Sequence, residues 1–507
     1  MGYPMGDASV YNKSMLFSEL IGYIDKATVV NASDAEITGI TYDSRQVEAG
    51  FVFVATAGGS FDGHSFIGRA IESGAAAIVA ERQVEDAVSS GIPYVTVPDG
   101  RAAMGQISAP FFGYPSRGMK LVGVTGTSGK TTVTHLIQAI FNAAGRKAGL
   151  IGTLGYRIGD RLVDMHHTTP ESVDVQRILR LMADEGVEVV AMEASSHGLY
   201  QGRTLGCEFD CGVFTNIARD HLDFHKTVEA YLDAKLILFR EYPGMSAKPF
   251  VAVVNADDPS AGKAIAAAKG DVITFGVDSP ADVRASNAVV SDKSVSFDMT
   301  YGRETVRVNL GIGGSFNVYN ALSAAAAAIS LGLDMDCITR GLRSAEGVPG
   351  RFESVECGQS FGVVVDYAHT PDELENVLKT AKSLTKGRLI AVFGCGGDRD
   401  RGKRPIMGRI GTELGDVAVV TSDNPRTEDP NAIVADILTG IPEERRAAVD
   451  VVVDRAEAIR SAITRAREGD LVVIAGKGHE DYQIFADRTI HFDDREVARQ
   501  ILSELVK

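Results

Sequence analysis

Cysteine is scarce in this sequence, which argues against a fold held together by disulfides. The 507 residues include five cysteines, and no two of them form a CxxC pair. Five cysteines are too sparse for a disulfide framework, and zinc ribbons and redox motifs use CxxC pairs, so a redox or zinc role for Cys207 and Cys211 is an alternative only. We expect the cysteines to serve as small buried apolar residues, and their scarcity predicts a cytoplasmic protein.

Long apolar runs and an excess of positive charge are also missing. No stretch reaches the about 18 apolar residues that a membrane-spanning helix needs, and the first thirty residues lack a basic start followed by an apolar core. The 51 basic side chains are outnumbered by 67 acidic ones, which gives a formal charge of −16. We therefore expect no membrane and no nucleic-acid partner, although a local basic groove stays compatible with this charge.

The composition is that of a globular protein with several domains. Apolar residues make up 45% and charged residues 23%, which excludes general disorder. At about 100–200 residues per domain, the length predicts about three domains. Glycine and proline in "FFGYPSRGMK" and "GVPGRFE" indicate boundaries, so we predict domains at residues 1–117, 118–349 and 350–507.

We predict that all three domains are α/β, because apolar strand-like runs alternate with helix-length stretches. The first is expected to be the smallest, the second a P-loop ATPase-type domain with a mostly parallel sheet, and the third Rossmann-like. Polar residues follow several predicted strands, at residues 193–197, 216–223, 255–258, 366–370 and 423–426. Open α/β sheets bind ligands at the carboxyl ends of their strands, so we expect the chemistry where these edges face each other.

The strongest local signal is "GVTGTSGKTT" at residues 123–132, between a predicted strand and a predicted helix. Glycines let the backbone turn its N–H groups around phosphate oxygens, and the helix N-terminus favours negative charge. Lys130 can reach the β- and γ-phosphates, and the Thr131 hydroxyl suits Mg²⁺. The first glycine lies one residue earlier than in the usual pattern, and a glycine-rich turn with a surface lysine is the alternative. The motif predicts binding of a nucleoside triphosphate.

Further residues suit a metal site near that loop. Glu193 stands at a predicted strand end, and "NIARDHLDFH" supplies His221. Magnesium prefers oxygen ligands, and a structural histidine is the alternative for His221. Lys235 lies in a helix-like stretch, where a solvated lysine is the ordinary case. If it is buried its pKa falls, and a neutral amine can add CO₂ to become a carbamate.

Cations and a carboxylate follow predicted strands in the third segment. "GCGGDRDRGKRP" carries Arg399 and "SDNPRTEDP" carries Arg426. An arginine at a strand edge can hold a carboxylate with two hydrogen bonds, as an amino-acid clamp does. Glu480 in "GKGHE" would suit an ammonium group. A solvated basic loop is the alternative interpretation.

Together these motifs resemble the Mur ligases, the ATP-dependent amide-bond-forming enzymes of peptidoglycan precursor synthesis. The resemblance extends along the chain and rests on eleven motifs in the family's order, namely "DSR", "GVTGTSGKTT", "MEASSHGL", "NIARDHLDFH", "YLDAK", "NADD", "GRFE", "VVDYAHTPDEL", "GCGGDRDRGKRP", "DNPR" and "GKGHEDYQ". "DNPR" resembles the family members that use diaminopimelate rather than lysine. The expected reaction joins meso-2,6-diaminopimelate to the D-glutamate γ-carboxylate of UDP-N-acetylmuramoyl-L-alanyl-D-glutamate, through an acyl phosphate.

The resemblance also implies roles for individual residues. It implies ATP contacts at Gly126, Thr127, Ser128, Gly129, Lys130, Thr131, Thr132, Asn317, Asn320, Arg351 and Asp366, with His369 nearby. It implies contacts to the nucleotide-sugar peptide at Ser44, Gly59, Ser60, Phe61, Thr168, Thr169, Ser195, Gln201 and Arg203. It implies diaminopimelate contacts at Arg399, Asp423, Asn424, Pro425, Arg426, Gly476 and Glu480. It implies Mg²⁺ ligands at Thr131, Glu193, His221 and Lys235 as a carbamate, with Lys130, Lys235 and His221 as the catalytic residues.

The sequence departs from the family pattern at three positions, Ser128, His167 and Ala194, of which His167 puts a substrate contact in doubt. Two alternatives stay open. One is a related ligase, either a lysine-adding muramyl ligase or a folylpolyglutamate synthetase, and the other is a nucleotide-dependent switch without ligase activity. The expected partners are small-molecule substrates, and the protein is expected to be a monomer. The first 13 residues are expected to be disordered or to precede an alternative start.

Overall fold

Three sheets, each flanked by helices, organise the chain. The computed structural model describes residues 14–58, 62–165 and 167–506. The contacts predicted at Gly59, Ser60 and Phe61 lie outside the described residues, as does the segment 1–13. No helix within the described ranges has the length and apolar character needed to cross a membrane. The predicted α/β fold is confirmed.

The first unit has a five-stranded sheet of order β2-β7-β6-β5-β4, parallel except for the edge strand β2. Its interior strand β5, FVFVA, is buried at every residue because helices cover both faces. Its elements are β1 (Met15–Leu16), α1 (Phe17–Ile21), β2 (Thr28–Asn31), β3 (Glu36–Ile37), β4 (Gly39–Thr41), β5 (Phe51–Ala55), α2 (Ile67–Glu72), β6 (Ala77–Ala80), α3 (Glu85–Ser89), β7 (Tyr94–Thr96) and α4 (Gly100–Phe111).

The second unit has an eleven-stranded sheet of order β11-β10-β9-β12-β8-β13-β14-β15-β16-β17-β18. Strands β9 to β16 run parallel along this order, and antiparallel strands extend both ends. Its elements are β8 (Lys120–Thr125), α5 (Lys130–Ala143), β9 (Ala148–Gly152), β10 (Gly155–Ile158), β11 (Arg161–Val163), α6 (Ser172–Asp184), β12 (Val189–Glu193), α7 (Ser196–Tyr200), β13 (Cys211–Phe214), α8 (Leu222–His225), α9 (Val228–Arg240), β14 (Val251–Asn255), α10 (Ala261–Ala267), β15 (Asp271–Gly276), β16 (Val283–Val290), β17 (Val295–Tyr301), β18 (Glu304–Leu310), α11 (Phe316–Ser330) and α12 (Met335–Ser344).

The third unit has a six-stranded sheet of order β19-β20-β24-β21-β22-β23, parallel except for β19. A separate hairpin, β25-β26, follows the last parallel strand. Its elements are β19 (Glu353–Ser354), β20 (Gly362–Asp366), α13 (Pro371–Leu384), β21 (Leu389–Phe393), α14 (Lys403–Leu414), β22 (Val417–Val420), α15 (Pro430–Leu438), β23 (Val449–Val451), α16 (Arg455–Arg465), β24 (Leu471–Ala475), β25 (Tyr482–Ile484), β26 (Thr489–His491) and α17 (Asp494–Leu505).

The alanine-rich helix α11 lies at the centre of the second unit. Its alanines at 324–328 are all fully buried, and the helix contacts α5 and the strands β13 to β17. Alanine keeps the helix well formed while its short side chain permits close approach to the sheet. This packing holds the N-terminal turns of α11, with Asn317 and Asn320, beside the turn that follows β8.

Candidate active site

The glycine-rich turn between β8 and α5 fits closely against the end of β13. Gly126 has φ 146°, and a Cβ atom there would overlap the Thr215 hydroxyl. That hydroxyl donates to the carbonyl of Ser128 at 2.7 Å, and Asn216 Oδ1 accepts from the Ser128 N–H at 2.9 Å. These contacts hold the turn in the shape of a phosphate-binding loop, with the start of α5 facing the open side.

Two lysines converge on one carbonyl of this loop. Lys130 Nζ donates to the carbonyl oxygens of Gly126 and Thr127 at 2.9 and 2.7 Å. Lys235 Nζ, on the buried face of α9, donates to the same Gly126 oxygen at 2.7 Å, and the residue is 1% exposed. Burial lowers the pKa of both amines, and the Lys130 charge lowers that of Lys235 further. The Lys235 amine is therefore held towards its neutral form.

A cavity of about 200 Å³ opens in front of the loop. The Glu193 carboxylate, 1% exposed at the end of β12, lines it together with the Thr131 hydroxyl. Glu193 accepts from the Thr153 N–H at 2.8 Å and from the Thr153 hydroxyl at 3.1 Å. Both groups offer the oxygen ligands that Mg²⁺ prefers. In the described residues no three His, Cys, Asp or Glu side chains form a metal site on their own, so phosphate or water oxygens would have to complete the coordination.

His221 lines the same cavity and begins the short helix α8 with φ 52°. Its Nε2 lies 3.3 Å from Asp220 Oδ2, and its ring packs edge-on against His197 with the ring centres 4.7 Å apart. Burial lowers the pKa of His221 although Asp220 acts in the opposite direction. A neutral imidazole keeps a lone pair that can bind a metal.

A second, larger cavity of about 530 Å³ adjoins the first at Ser128 and Gly129. Asn320 lines it from α11, and its Nδ2 donates to Asn317 Oδ1 at 2.7 Å. Asn317 is 1% exposed and is not among the lining residues of either cavity, so it lies behind Asn320. Aromatic and amide side chains around this space suit a nucleoside.

The third unit closes over both cavities. Arg351 Nη2 lies 3.5 Å from the Thr131 hydroxyl, and its guanidinium stacks on the Tyr367 ring at 4.7 Å. Asp366 ends β20, and its two carboxylate oxygens accept from the N–H groups of Phe352 and Ala368 at 2.7 and 2.8 Å. Burial raises the pKa of Asp366 to about 6, although the Arg351 charge acts in the opposite direction.

Several residues predicted to meet the nucleotide-sugar peptide lie around Glu193. The Thr169 hydroxyl donates to the Glu193 carbonyl at 2.8 Å and accepts from the Ser195 N–H at 3.0 Å. Arg203 donates to the Thr169 carbonyl at 3.0 Å, and its Nε lies 3.2 Å from the buried carboxylate of Glu171. The Thr168 hydroxyl contacts Thr153 Oγ1 at 3.1 Å and lines the smaller cavity.

Two other residues of that predicted set lie farther out. Gln201 lines a separate cleft of about 490 Å³ between the first and second units. Ser44 is buried at the start of a short 3₁₀ helix, residues 44–46, in the first unit. Ser44 is not among the lining residues of the cavities at the phosphate-binding loop.

Loops after β22 and β24 bring together the predicted amino-acid contacts of the third unit. Asn424 Nδ2 donates to Glu480 Oε2 at 2.8 Å. Burial raises the pKa of Asp423, but the charges of Arg455 and Lys477 outweigh it and leave this pKa below its usual value. Gly476 directly follows β24 in a backbone conformation with φ 127° beside the Asp423 carboxylate.

Arg399 and Arg426 lie on neighbouring loops of this region. Arg426 Nη1 donates to the Gly397 carbonyl at 2.9 Å, and its backbone N–H donates to Ile484 O at 3.0 Å. Arg399 is exposed, and its Nη1 donates to the Asp398 carbonyl at 3.0 Å. The buried Pro425 lies between Asn424 and Arg426.

The sequence analysis did not identify Lys477 as a site residue, although "GKGHE" contains it. This side chain is fully buried, and its Nζ lies 3.1 Å from Glu480 Oε2 and 3.3 Å from Asn424 Oδ1. Glu373, which lines both central cavities, was missed too. Its place in a capping box with Thr370 at the start of α13 is a signal that the "HTPDE" sequence offered.

Comparison with protein families gives three matches that follow one another along the chain. The catalytic domain of the Mur ligase family matches residues 36–112, the Mur ligase middle domain matches 124–328, and the Mur ligase glutamate ligase domain matches 350–478. Together these models cover more than half of the chain.

Individual relatives match over nearly the whole length. The chain is 46% identical to a UDP-N-acetylmuramoyl-L-alanyl-D-glutamate–2,6-diaminopimelate ligase from Syntrophomonas wolfei, over 94% of this chain and 96% of the relative. It is 45% identical to the enzyme of the same name from Clostridium botulinum, over 94% of this chain and 97% of that one.

Solved structures agree with these matches. A structure of a ligase with the same name aligns with a TM-score of 0.67 at 35% identity, covering 93% of this chain and 96% of that chain. A MurF from Acinetobacter baumannii shares the fold, with a TM-score of 0.66 at 20% identity and coverage of 92% and 96%. With family models along three successive segments and close relatives over almost its full length, the chain belongs to the Mur ligase family.

Proposed function

We propose that this protein is an ATP-dependent ligase that joins meso-2,6-diaminopimelate to the D-glutamate γ-carboxylate of UDP-N-acetylmuramoyl-L-alanyl-D-glutamate. The observation that carries the proposal is a glycine-rich loop after β8 in front of a cavity that the third unit also lines, while Arg426 and Glu480 lie on loops that follow strands of that third unit. Relatives that are 42–46% identical bear the name of this reaction, which supports the same substrates here. The products would be the muramoyl tripeptide, ADP and phosphate, in peptidoglycan precursor synthesis.

ATP would bind across the two connected cavities. The space of about 530 Å³ suits the nucleoside, and the space of about 200 Å³ in front of the loop suits the phosphates. A Thermotoga maritima MurF ligase with the same fold was solved in complex with ADP, which supports this placement. Lys130 would then leave the carbonyls of Gly126 and Thr127 and pair with a phosphate, because an anion competes strongly for an ammonium group.

The residues near the loop suit Mg²⁺. We propose that Thr131 and Glu193 hold one ion and that His221 and the carbamate of Lys235 hold a second. The neutral amine of Lys235 is the form that adds CO₂, and its burial supports this modification. Bound Mg²⁺ would offset phosphate charge while two anionic groups approach each other.

The proposed reaction has two steps and needs no nucleophile from the protein. The γ-carboxylate of the substrate attacks the γ-phosphate of ATP, which gives an acyl phosphate and ADP. The amine of diaminopimelate then attacks the acyl carbon, and phosphate leaves. The protein contributes positioning and charge: Lys130 and the N-terminus of α5 face the phosphates, and Arg203 with Thr169 orients the peptide.

Specificity for diaminopimelate would come from paired charges. Diaminopimelate differs from lysine by a second carboxylate, and Arg426 with Arg399 can hold its carboxylates while Glu480 accepts an ammonium group. Lysine would leave an arginine without its partner, which costs free energy in a partly buried site. The loop with Asn424 and Arg426 lies directly beside Glu480, which supports this assignment.

The domain boundaries and the monomeric state are part of the proposal. The boundaries near residues 117 and 349 are supported by their positions between α4 and β8 and between α12 and β19.

The test is an assay with ATP, Mg²⁺ and UDP-N-acetylmuramoyl-L-alanyl-D-glutamate, with meso-diaminopimelate or L-lysine added in parallel. We expect release of phosphate and a product with the mass of the diaminopimelate tripeptide. Product with lysine alone would keep the ligase and overturn the specificity. No product with either amino acid, together with ATP hydrolysis that ignores both, would favour a nucleotide switch.

A further inference from the structure

The two loops that carry Arg399 and Arg426 are joined to each other by side chains that have no assigned role. The first clamp loop is residues 394–402, after β21, and the second clamp loop is residues 421–429, after β22. Gly397 donates its N–H to the Asn424 carbonyl at 2.9 Å, and a Cβ atom at Gly397 would overlap the Pro425 carbonyl. The loops therefore lie in direct backbone contact, and a small shift of one moves the other.

Glu428 is the centre of the side-chain contacts between the loops. One carboxylate oxygen accepts from the Asp398 N–H at 2.6 Å and from Arg404 Nη2 at 2.8 Å. The other accepts from Arg401 Nη2 at 2.9 Å and from Arg404 Nη1 at 3.1 Å. The Arg404 hydrogen bonds lower the pKa of Glu428 to about 2, so the carboxylate is charged. Every donor that it meets lies on the first clamp loop or at the start of α14.

Asp398 of the first clamp loop makes a further contact to the second clamp loop, at Thr427. Its carboxylate accepts from the Thr427 N–H at 3.1 Å and from the Thr427 hydroxyl at 2.8 Å. Asp398 has φ 52°, a conformation that a non-glycine residue adopts at a cost, and these hydrogen bonds hold it there. Asp398 directly precedes Arg399, and Thr427 directly follows Arg426, so the contact fixes the chain beside both cations.

Arg404, near the start of α14, stabilises the contact between the two clamp loops. Its side chain is 1% exposed, and besides Glu428 it pairs with Asp436 of α15, Oδ2 lying 2.9 Å from Nη1. A fully buried guanidinium that loses a partner pays a desolvation cost, so it favours the one arrangement that keeps both carboxylates in reach.

We propose that Glu428, with Asp398, is a positioning residue that sets the spacing of Arg399 and Arg426 and so determines the affinity for the dicarboxylic amino acid. The inference rests on the proposed function, because it assigns these two arginines to the carboxylates of diaminopimelate. The side-chain contacts of Glu428 are to Asp398, Arg401 and Arg404, none of which is a proposed diaminopimelate contact, so it acts through the loops. Misplacing a charged pair by about 1 Å costs up to about 100-fold in rate or affinity.

Glu428→Gln tests this, because the amide group would point N–H donors at the donors of Arg401 or Arg404. Asp436→Asn is the matched control, since it removes a carboxylate from the same arginine outside the clamp loops. We expect Glu428→Gln to raise the KM for diaminopimelate about tenfold or more while the KM for ATP stays close to wild type, and to lower the melting temperature because buried Arg404 loses a charged partner. Asp436→Asn is expected to leave both KM values within about twofold of wild type and to lower the melting temperature as well, because it also removes a charged partner from buried Arg404.

Asp398→Asn tests the contact between the two clamp loops independently. We expect this variant to raise the KM for diaminopimelate and to leave the KM for the nucleotide-sugar peptide unchanged. The inference is overturned if Glu428→Gln and Asp436→Asn change the KM for diaminopimelate equally, or if Glu428→Gln raises the KM of all substrates together. A wild-type protein that forms no product with diaminopimelate overturns the proposed function and this inference with it, and is recognised before any variant is compared.

Discussion

At the scale of single residues, the most informative contact is the shared acceptor of Lys130 and Lys235. Both ammonium groups point at the Gly126 carbonyl, and their like charges oppose each other in a buried place. Such an arrangement is stable only because the carbonyl and nearby carboxylates offset part of the cost. It prepares one lysine to meet an anion and the other to lose its charge.

Lys130→Ala and Lys235→Ala are therefore expected to abolish ligation while the fold remains. Losing a group that neutralises developing charge costs about 100-fold or more in kcat. Lys263→Ala, on the exposed face of α10, is the matched control and should keep wild-type turnover. Phosphate release measures activity, and circular dichroism measures folding. Wild-type turnover in a folded Lys130→Ala protein would contradict the claim that Lys130 is required for ligation.

Asp366 gives a prediction about pH. Burial raises its pKa from the ordinary 3.8 to about 6, so the native protein binds this proton more tightly than the unfolded chain does. The stabilisation from this group is therefore present below about pH 4 and is lost as the pH rises through about 6. We expect the stability difference between wild type and Asp366→Asn to fall by up to about 3 kcal/mol between pH 4 and 7. Urea unfolding across this range measures it, and a constant difference would refute the assignment.

The site residues that the sequence predicted lie in local motifs, whereas those that it missed depend on contacts between distant parts of the chain. Lys130, Thr131 and Glu193 follow from a local pattern of strand, turn and helix, which the sequence shows directly. Lys477 looks like any lysine in the sequence, because its burial depends on Asn424, 53 residues away. Contacts that close over such distances carry no local periodicity, so sequence reasoning missed them.

At the scale of elements, helix α11 links the core to the nucleotide site. Asn317, Asn320 and Ala324 lie three and four residues apart and so share one helix face. Asn320 lines the cavity of about 530 Å³ that is proposed to hold the nucleoside, and the alanines that follow are buried against α5 and the sheet. The position of Asn320 therefore depends on how closely the alanine face packs.

Ala324→Leu tests this dependence. The larger side chain has no room, and overpacking of this kind costs about 1–3 kcal/mol. We expect a lower free energy of unfolding and a weaker affinity for ATP, measured by urea denaturation and titration calorimetry. Ala266→Leu, on the exposed side of α10, adds the same side chain at the surface and should change neither. Unchanged ATP affinity in a destabilised Ala324→Leu protein would contradict the claim that the position of Asn320 depends on the packing of the α11 alanines.

The strands of the central sheet were predicted unevenly. The strands β8, β12 and β13 pair in parallel, are buried along nearly their whole length and are mostly apolar, so they stand out in the sequence. The strands β16 to β18, which pair antiparallel with one another, have one more exposed face and alternate polar with apolar residues. Their weaker pattern was not identified.

At the scale of the whole molecule, the three units meet around one region. Tyr42 of the first unit donates its hydroxyl hydrogen to Asp174 of the second at 2.8 Å. The third unit lines both cavities through Arg351 and Glu373. ATP bound in these cavities would contact the second and third units together, so the ligand would favour the arrangement in which they are close.

Arg351→Ala removes the third unit's cation from the Thr131 side of the cavity. Losing a charge-assisted hydrogen bond costs about 1.5–3 kcal/mol, which is roughly a 10- to 100-fold weaker affinity for ATP. Arg343→Ala, an exposed arginine near the end of α12, is the control and should leave the affinity unchanged. Titration calorimetry measures both, and equal affinities in the two variants would contradict a contribution of the third unit to ATP binding.

The central claim is that this chain is a ligase whose third unit selects an amino acid with a second carboxylate. The most direct measurement is a competition assay with ATP, Mg²⁺, the nucleotide-sugar dipeptide and equal concentrations of meso-diaminopimelate and L-lysine, read by product mass. The account predicts at least about 100-fold more diaminopimelate product, the ratio expected when a buried charged partner is left unpaired by the wrong substrate. Equal amounts of the two products, or an excess of the lysine product, would contradict it.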